Sequence, residues 1–269
     1  MCPFELANAG MAKHEPDHVP PGGRPLVLGH RGASADAPEN TLAAFGLALE
    51  NGADGFELDV WRCGTGEVVV HHDADTLRTG GSALRITSAS LAELRRLDVG
   101  AWRGDRFRGE RLPLLAEVLE AFPAAVVNVE LKSGGFPPDL LLARAVARAL
   151  RDLDAPARYI VSSFDPALLA AFRLAEPRIP TGILFADDRS WRLRAAAGTL
   201  LLRPHAVHPE WTLITPARVR RWTARGLRVN AWTVDEPGEV ARLCALGVSA
   251  IVTNRPADIR RAVRQATGR

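Results

Sequence analysis

The stretch "GHRGASADAPENT", residues 29–41, follows directly on the apolar run Leu26-Val27-Leu28 and takes a histidine and an arginine out of a predicted strand. The next helix is predicted to begin only at Thr41, after a proline, because threonine is a favourable N-cap. Strand, loop and helix in this order are typical of parallel α/β folds, in which the loops after the strands carry functional groups. The stretch is therefore either an ordinary polar loop or half of an active site.

The same alternation of short apolar runs and helical segments continues along the chain. Strands are predicted at 26–30, 55–61, 67–71, 125–131, 159–163, 181–185, 205–208, 228–234 and 249–253, and helices at 41–50, 115–121, 138–151, 166–175, 190–197, 215–225, 236–246 and 256–267. This pattern favours an α/β fold of the closed (β/α)8 TIM barrel type over an open sheet. No glycine-rich nucleotide-binding turn follows any strand, which argues against the usual nucleotide-binding open sheet.

The strand at 67–71 is one more than a barrel of eight needs. Only "RCGTG" separates it from strand 55–61, which is too short for a helical crossover. It is either a hairpin partner of 55–61 or a parallel strand reached by an extended connection. Residues 73–112, with one short helix at 90–96, are predicted to be a small insertion after the His-Asp strand. A flexible leader is predicted at 1–25 and a single barrel domain at 26–269.

Composition excludes several classes of protein. The chain has 269 residues, 47% of them hydrophobic, and a net charge of +3, without the basic stripe of a nucleic-acid-binding protein. The three cysteines are scattered, so neither a zinc site nor a disulfide framework is expected and a cytoplasmic location is predicted. No apolar run is long enough for a membrane span. The sequence gives no indication of the oligomeric state.

Acidic residues are concentrated on two of the predicted strands. Because side chains alternate across a strand, Glu57 and Asp59 of "FELDVW" share one face, as do Glu130 and Lys132 of "VVNVELK". Burying three converging carboxylates without a cation would be costly. Oxygen ligands suit a hard divalent cation such as Mg²⁺ or Ca²⁺. The alternative is that each carboxylate forms a separate salt bridge with an arginine.

Histidines lie at two strand ends, His30 and the pair His71-His72, and imidazole is suited to acid–base catalysis near neutrality. Alternation places His71 and His72 on opposite faces, so one of them is expected in the site and the other outside it. Arg31 and Lys132 add the positive charge that a phosphate group needs. Together with a divalent cation, these groups indicate cleavage of a phosphate ester.

Seven segments, in order, resemble the glycerophosphodiester phosphodiesterases, a family of metal-dependent barrel enzymes. They are "HRGASADAPENTLAAF" (30–45), "GADGFELDVW" (52–61), "VVVHHDADTLRTG" (68–80), "NVELK" (128–132), "SSF" (162–164), "VNAWTVD" (229–235) and "GVSAIVTNRP" (247–256). Any one of these segments is a weak signal, whereas seven in the family's order are specific. The resemblance covers essentially the whole predicted barrel.

The resemblance implies a role for each candidate residue. It implies the acid–base pair His30 and His72; the ligands Glu57, Asp59 and Glu130 for one divalent cation (Mg²⁺, Ca²⁺ or Mn²⁺); the phosphate-binding Arg31 and Lys132; the substrate-lining Trp232; and Glu39 and Asn40, which would brace the first loop. The resemblance gives His71 no catalytic role. Asp235 stands where the family has asparagine, and we expect this exchange to have little effect on the chemistry.

The implied reaction is metal-dependent hydrolysis of a small-molecule glycerophosphodiester to sn-glycerol 3-phosphate and an alcohol. One histidine would activate the attacking oxygen and the other would protonate the departing alcohol, in an order that the sequence leaves open. A first alternative is a related barrel phospholipase that acts on lysophospholipid or sphingolipid head groups. A second is an inactive barrel that binds a phosphorylated ligand.

Overall fold

The computed structural model describes residues 23–151, 153, 156–187 and 202–268. The helix predicted at 190–197 and all but the last three residues of the predicted leader lie outside the described residues. The proposed boundaries of the leader, the barrel domain and the insertion stay predictions.

Within these described ranges, nine strands form one continuous sheet. They are β1 (Leu26–His30), β2 (Gly55–Arg62), β3 (Val68–Val70), β4 (Val126–Leu131), β5 (Tyr159–Ser163), β6 (Thr181–Phe185), β7 (Ala206–Pro209), β8 (Arg228–Ala231) and β9 (Ala250–Thr253). All of them except β3 pair in parallel, and β1 pairs with both β2 and β9, which closes the sheet into a barrel. The predicted (β/α)8 TIM barrel is confirmed.

Helices follow most of the barrel strands. Those described are α1 (Leu42–Glu50), α2 (Leu77–Gly80), α3 (Leu91–Leu94), α4 (Leu115–Ala121), α5 (Leu140–Arg151), α6 (Pro166–Ala175), α7 (Pro216–Thr223), α8 (Pro237–Ala245) and α9 (Pro256–Thr267). The side chain of Thr41 accepts from the backbone N–H of Ala44 and so caps α1, as its position predicted. Within the described ranges, no helix combines the length and the apolar character that crossing a membrane requires.

The additional strand β3 is a hairpin partner. It runs antiparallel to β2, with Val70 opposite Val60 and Val68 opposite Arg62, which decides between the two alternatives left by the sequence. The strand lies outside the ring of barrel strands and pairs with the part of β2 that extends beyond it. The hairpin brings His71 next to Asp59. The carbonyl oxygen of Asp59 accepts a hydrogen bond from the backbone N–H of His71 at 2.9 Å.

The barrel strands are buried on both faces, as expected of a parallel sheet covered by helices. On β2, Phe56, Leu58 and Val60 belong to the core between sheet and helices, where the ring of Phe56 stacks on that of Phe45 with centroids 4.3 Å apart. The intervening residues of β2 face the barrel interior. Apolar side chains of β1 and β9 form a small separate cluster there, consisting of Leu26, Leu28, Ala250 and Val252. Leu26 and Leu28 precede the level at which His30 pairs with Glu57, so this apolar cluster lies toward the amino ends of the strands and the acidic residues toward the carboxyl ends.

A close approach of β2 to β4 requires glycine at residue 55. A β-carbon on Gly55 would lie 1.8 Å from the carbonyl oxygen of Val126. Backbone atoms of two paired strands cannot move apart without disturbing the ladder that fixes the register of Asp59 opposite Glu130.

We expect Gly55→Ala to lower the free energy of unfolding by about 3 kcal/mol, because overpacking against backbone cannot be relieved by a rotamer change. Equilibrium denaturation measures the effect. Gly238→Ala in α8 is the matched control, since a β-carbon there meets nothing within 4 Å, and it should leave stability unchanged or slightly raised. Equal stability of the two variants would contradict the close approach of the strands.

Candidate active site

The loop after β1 turns back toward β2 through two left-handed residues. Arg31 has φ 56° and Asn40 has φ 57°, and the backbone N–H of Asn40 donates to the carbonyl of Arg31 at 3.0 Å. Gly32 allows this turn, since it has φ 86° and a β-carbon there would lie 2.5 Å from the backbone of Ala44. The ten residues between β1 and the N-cap Thr41 thus form a loop that folds over the end of the barrel.

Three carboxylates converge at this end of the barrel. Glu57 and Asp59 of β2 and Glu130 of β4 each offer an oxygen within 4.8 Å of the others. Asp59 and Glu130 lie directly opposite each other in the parallel register. Their exposed fractions are only 4% for Glu57, 1% for Asp59 and 9% for Glu130, so bulk water cannot offset their mutual repulsion.

The ionisation of the three carboxyls is uneven. Burial and the neighbouring charge of Asp59 raise the pKa of Glu57 well above its usual range, and burial likewise raises the pKa of Glu130. Burial acts in the same direction on Asp59, but the charges of Lys132 and Arg31 outweigh it and lower the pKa of that carboxyl. Asp59 is therefore the fixed anion of the group.

Two cations partly balance this negative charge. Lys132 Nζ lies 2.7 Å from Glu130 Oε1 and 3.2 Å from Asp59 Oδ1. Arg31 places Nε 3.3 Å from Asp59 Oδ2 and donates through a terminal nitrogen to Glu39 Oε1 at 3.0 Å. The predicted alternative of separate salt bridges does not describe this arrangement, because each cation contacts two carboxylates.

The carboxylates fit a hard divalent cation. Among the described residues, Glu57 Oε1 is buried and has no hydrogen-bond partner, although a buried carboxylate oxygen without a donor is costly. The other oxygen of Glu57 accepts from the backbone N–H of Arg31 at 3.1 Å. An all-oxygen set with an unpartnered oxygen is the donor chemistry that Mg²⁺, Mn²⁺ and Ca²⁺ prefer.

Both candidate histidines line the same cavity, whose volume is about 220 Å³. His30 contacts Asn254 Oδ1 through Nδ1 at 2.7 Å, and its Nε2 lies 4.0 Å from Glu57 Oε2. His72 contacts Asp73 Oδ1 through Nδ1 at 2.7 Å. Burial lowers the pKa of His30 to about 4, with help from the charge of Arg31, and burial also lowers the pKa of His72. Among the described residues, the hydrogen bonds of both rings are made through Nδ1, which leaves each Nε2 to meet a ligand.

The structure brings together most of the predicted site residues around this cavity. Its lining includes His30, Arg31, Glu57, His72, Glu130, Lys132 and Trp232. Asp59 lies just behind, within the carboxylate group, and Asn40 donates to its Oδ2 at 2.8 Å. Glu39 lies beside Arg31 and faces a second, adjoining cavity. His71 is buried with its Nε2 3.0 Å from the carbonyl oxygen of Asp75 and is not among the residues described as lining the cavity.

An apolar wall faces the charged groups across the cavity. Trp232 and Phe164 meet edge to face with ring centroids 5.6 Å apart, and Leu184 lies beside them. The indole Nε1 of Trp232 donates to the carbonyl oxygen of His208 at 2.7 Å, which fixes the ring. One side of the cavity is thus suited to a charged group and the other to carbon atoms.

Sequence reasoning assigned no role in this site to Phe164, Asn254 or Asp235. Phe164 follows β5, and Asn254 follows β9 and binds His30. Asp235 accepts from Asn254. All three lie in segments that carry the family resemblance, at or beyond the carboxyl ends of strands, and that position was the signal that could have found them.

Comparison with known proteins agrees with this geometry. The profile of the glycerophosphoryl diester phosphodiesterase family matches residues 30–258. A glycerophosphodiester phosphodiesterase of Caldanaerobacter subterraneus subsp. tengcongensis is 33% identical over 249 residues, which are 89% of this chain and 98% of that protein. A lysophospholipase D of Homo sapiens is 29% identical over 87% of this chain and 84% of that protein.

A solved structure is similar as well. The structure of an Oleispira antarctica phosphodiesterase in complex with the product sn-glycerol-3-phosphate superposes with a TM-score of 0.79 at 30% identity, and the match covers 89% of this chain and 97% of that one. Fold, sequence profile and relatives agree over most of the chain. The chain therefore belongs to the glycerophosphoryl diester phosphodiesterase family.

Proposed function

We propose that this chain hydrolyses glycerophosphodiesters to sn-glycerol 3-phosphate and an alcohol, with His30 and His72 as its acid–base pair. One observation carries the proposal: the histidines His30 and His72 line a single cavity of about 220 Å³ together with two acidic side chains and two cations. The product in the Oleispira antarctica structure supports the glycerol 3-phosphate moiety as the part that is recognised.

The buried carboxylates Glu57, Asp59 and Glu130 would hold one divalent cation. When bound, such a cation supplies Lewis-acid polarisation of a phosphate oxygen and neutralises part of its charge. The unpartnered Glu57 Oε1 and the all-oxygen donor set support this assignment. Mg²⁺, Ca²⁺ and Mn²⁺ all suit these ligands.

The chain's own residues account for binding and for proton transfer. Arg31 and Lys132 hold the phosphate oxygens and offset the charge that builds up on them in the transition state. One imidazole accepts, at its Nε2, the proton of the attacking oxygen of water or of the glycerol hydroxyl. The other donates a proton from its Nε2 to the departing alcohol oxygen. Trp232 and Phe164 pack against the carbon atoms of the substrate.

A second candidate is hydrolysis of lysophospholipid head groups. Phe136, on the loop after β4, is 97% exposed at the end of the barrel that carries Glu130 and Lys132. An exposed aromatic side chain at this end of the barrel would suit an acyl chain or a lipid surface. The human lysophospholipase D among the relatives supports the same class of substrate. The cytoplasmic location stays a prediction, as does the absence of a nucleic-acid partner.

We expect EDTA to abolish activity, and Mg²⁺, Mn²⁺ or Ca²⁺ to restore it. Glu57→Gln should weaken Mn²⁺ binding, measured by calorimetry, by about tenfold or more, because it removes a charged ligand. The raised pKa values of Glu57 and Glu130 mean that protons compete with the cation, so affinity should fall as pH falls. Exposed Glu50→Gln is the matched control. Full activity in chelator would refute the metal site.

Among the histidines, His30→Ala and His72→Ala should each lower kcat by about 10²- to 10⁴-fold, which is the usual contribution of general acid–base catalysis. His71→Ala should lose about 1 kcal/mol of stability with its hydrogen bond and leave turnover nearly unchanged. Circular dichroism verifies folding of all three variants. A folded His72→Ala protein with wild-type turnover would contradict the acid–base assignment of His72. Equal losses of kcat in His71→Ala and His72→Ala would contradict it as well.

A substrate panel distinguishes the candidate functions. Glycerophosphocholine, glycerophosphoethanolamine and lysophosphatidylcholine are supplied in turn, and the products are identified by mass spectrometry. We expect sn-glycerol 3-phosphate from the first two, since the small cavity fits a glycerol phosphate. Turnover of the lysophospholipid alone would establish the lipase alternative. Binding of all three without turnover would point to an inactive barrel.

A further inference from the structure

A chain of hydrogen bonds leads from His30 away from the cavity to an aspartate outside the predicted site. His30 Nδ1 lies 2.7 Å from Asn254 Oδ1, and Asn254 Nδ2 lies 2.5 Å from Asp235 Oδ2. The other oxygen of Asp235 accepts from the backbone N–H of Asn254 at 2.8 Å and from Thr253 Oγ1 at 2.9 Å. Both oxygens of the carboxylate are thus directed at residues 253 and 254.

Asp235 decides which way the amide of Asn254 points. An ionised carboxylate only accepts hydrogen bonds, so it must face the NH₂ group of the amide and not its oxygen. The amide oxygen is thereby turned toward His30. The hydroxyl of Ser34 donates to the same oxygen at 2.7 Å, which favours the same orientation.

The amide orientation in turn decides the tautomer of His30. An oxygen at 2.7 Å can only accept, so Nδ1 of His30 must carry the hydrogen. A neutral imidazole has one N–H, which leaves the lone pair on Nε2. This is the nitrogen that lies 4.0 Å from Glu57 and is free to meet a ligand.

We propose that Asp235 is a positioning residue that fixes, through Asn254, which ring nitrogen of His30 carries the hydrogen. The role in turnover rests on the proposed function, in which Nε2 of His30 exchanges a proton with the substrate. The tautomer itself does not depend on the substrate. An aspartate at 235, expected from the sequence to have little effect, therefore acts together with the asparagine at 254.

An asparagine at position 235 would reverse the direction of the hydrogen bonds from residue 235 through Asn254 to His30. Its oxygen would remain with Thr253 and the backbone N–H of residue 254, so its NH₂ group would meet the NH₂ group of Asn254. Two donors repel, and the amide of Asn254 would turn over. Its NH₂ group would then face His30 Nδ1, which would have to accept and would leave the hydrogen on Nε2.

The test uses heteronuclear NMR of isotope-labelled histidine side chains, with the His30 signal assigned by its loss in His30→Ala. We expect Nδ1–H in the wild type and Nε2–H in Asp235→Asn. The exchanged variant, Asp235→Asn with Asn254→Asp, restores an acceptor opposite His30 and should return to Nδ1–H. Asp258→Asn is the matched control, since this carboxylate on α9 pairs with Arg261 at 3.5 Å on the surface.

Kinetics provide the second measurement. Asp235→Asn should lower kcat at least about tenfold with a smaller change in KM, because a wrong tautomer impairs proton transfer more than binding. The exchanged variant should regain most of this loss, and Asp258→Asn should show none.

The outcomes distinguish the positioning role of Asp235 from the proposed hydrolysis of glycerophosphodiesters. Nδ1–H retained in Asp235→Asn, or Nε2–H in the exchanged variant, overturns the positioning role. If the single variant does not fold, Nδ1–H in a folded exchanged variant supports the role and Nε2–H refutes it. The expected tautomers in a protein that hydrolyses no glycerophosphodiester would uphold the hydrogen-bond chain and refute the proposed function.

Discussion

Three acidic side chains buried within 4.8 Å of one another repel each other, and this repulsion is the constraint to which the rest of the site is fitted. Lys132 follows Glu130 at a spacing of two, so the strand that adds one anion also adds a cation on the same face. With all three carboxyls ionised, as a bound cation would hold them, the carboxylates together with Lys132 and Arg31 sum to one negative charge. A dication would make the group positive by one charge, which a phosphodiester anion would neutralise. In the proposed function, substrate and cation would thus be matched in charge.

The backbone of the loop after β1, residues 31–40, is held in a conformation that places Arg31 against the buried carboxylates. Arg31 and Asn40 both adopt left-handed conformations, which cost free energy in residues other than glycine. Asn40 compensates through its amide, which donates to Asp59 Oδ2 at 2.8 Å and accepts from the backbone N–H of Asp59 at 3.3 Å. Glu39 holds Arg31 and also accepts two hydrogen bonds from Arg78 of α2. The loop thereby joins the barrel to the segment after β3.

The barrel and the convergence of Glu57 and Glu130 could be predicted because both depend on the alternation of side chains along strands, which is a local property. The direction of β3 was left open, because an apolar run alone does not specify its partner strand. The end of β8, observed at Ala231, was predicted at residue 234. Asn254 was given no role for another reason. An uncharged amide gives little signal, and its contact with His30 spans 224 positions in the chain.

His72 is carried by the hairpin of β2 and β3 and not by a strand of the closed ring. The chain leaves this hairpin at residue 73 and returns beside it, where the backbone N–H of Val70 donates to the carbonyl oxygen of Pro113 at 2.8 Å. The intervening residues include Ile86 and Leu94, which pack with Trp61 of β2 in a cluster distinct from the main core. Because the two ends of this segment are neighbours, we expect its exchange to leave the register of the barrel strands intact, provided that Arg78 is kept, since Arg78 binds Glu39 of the site.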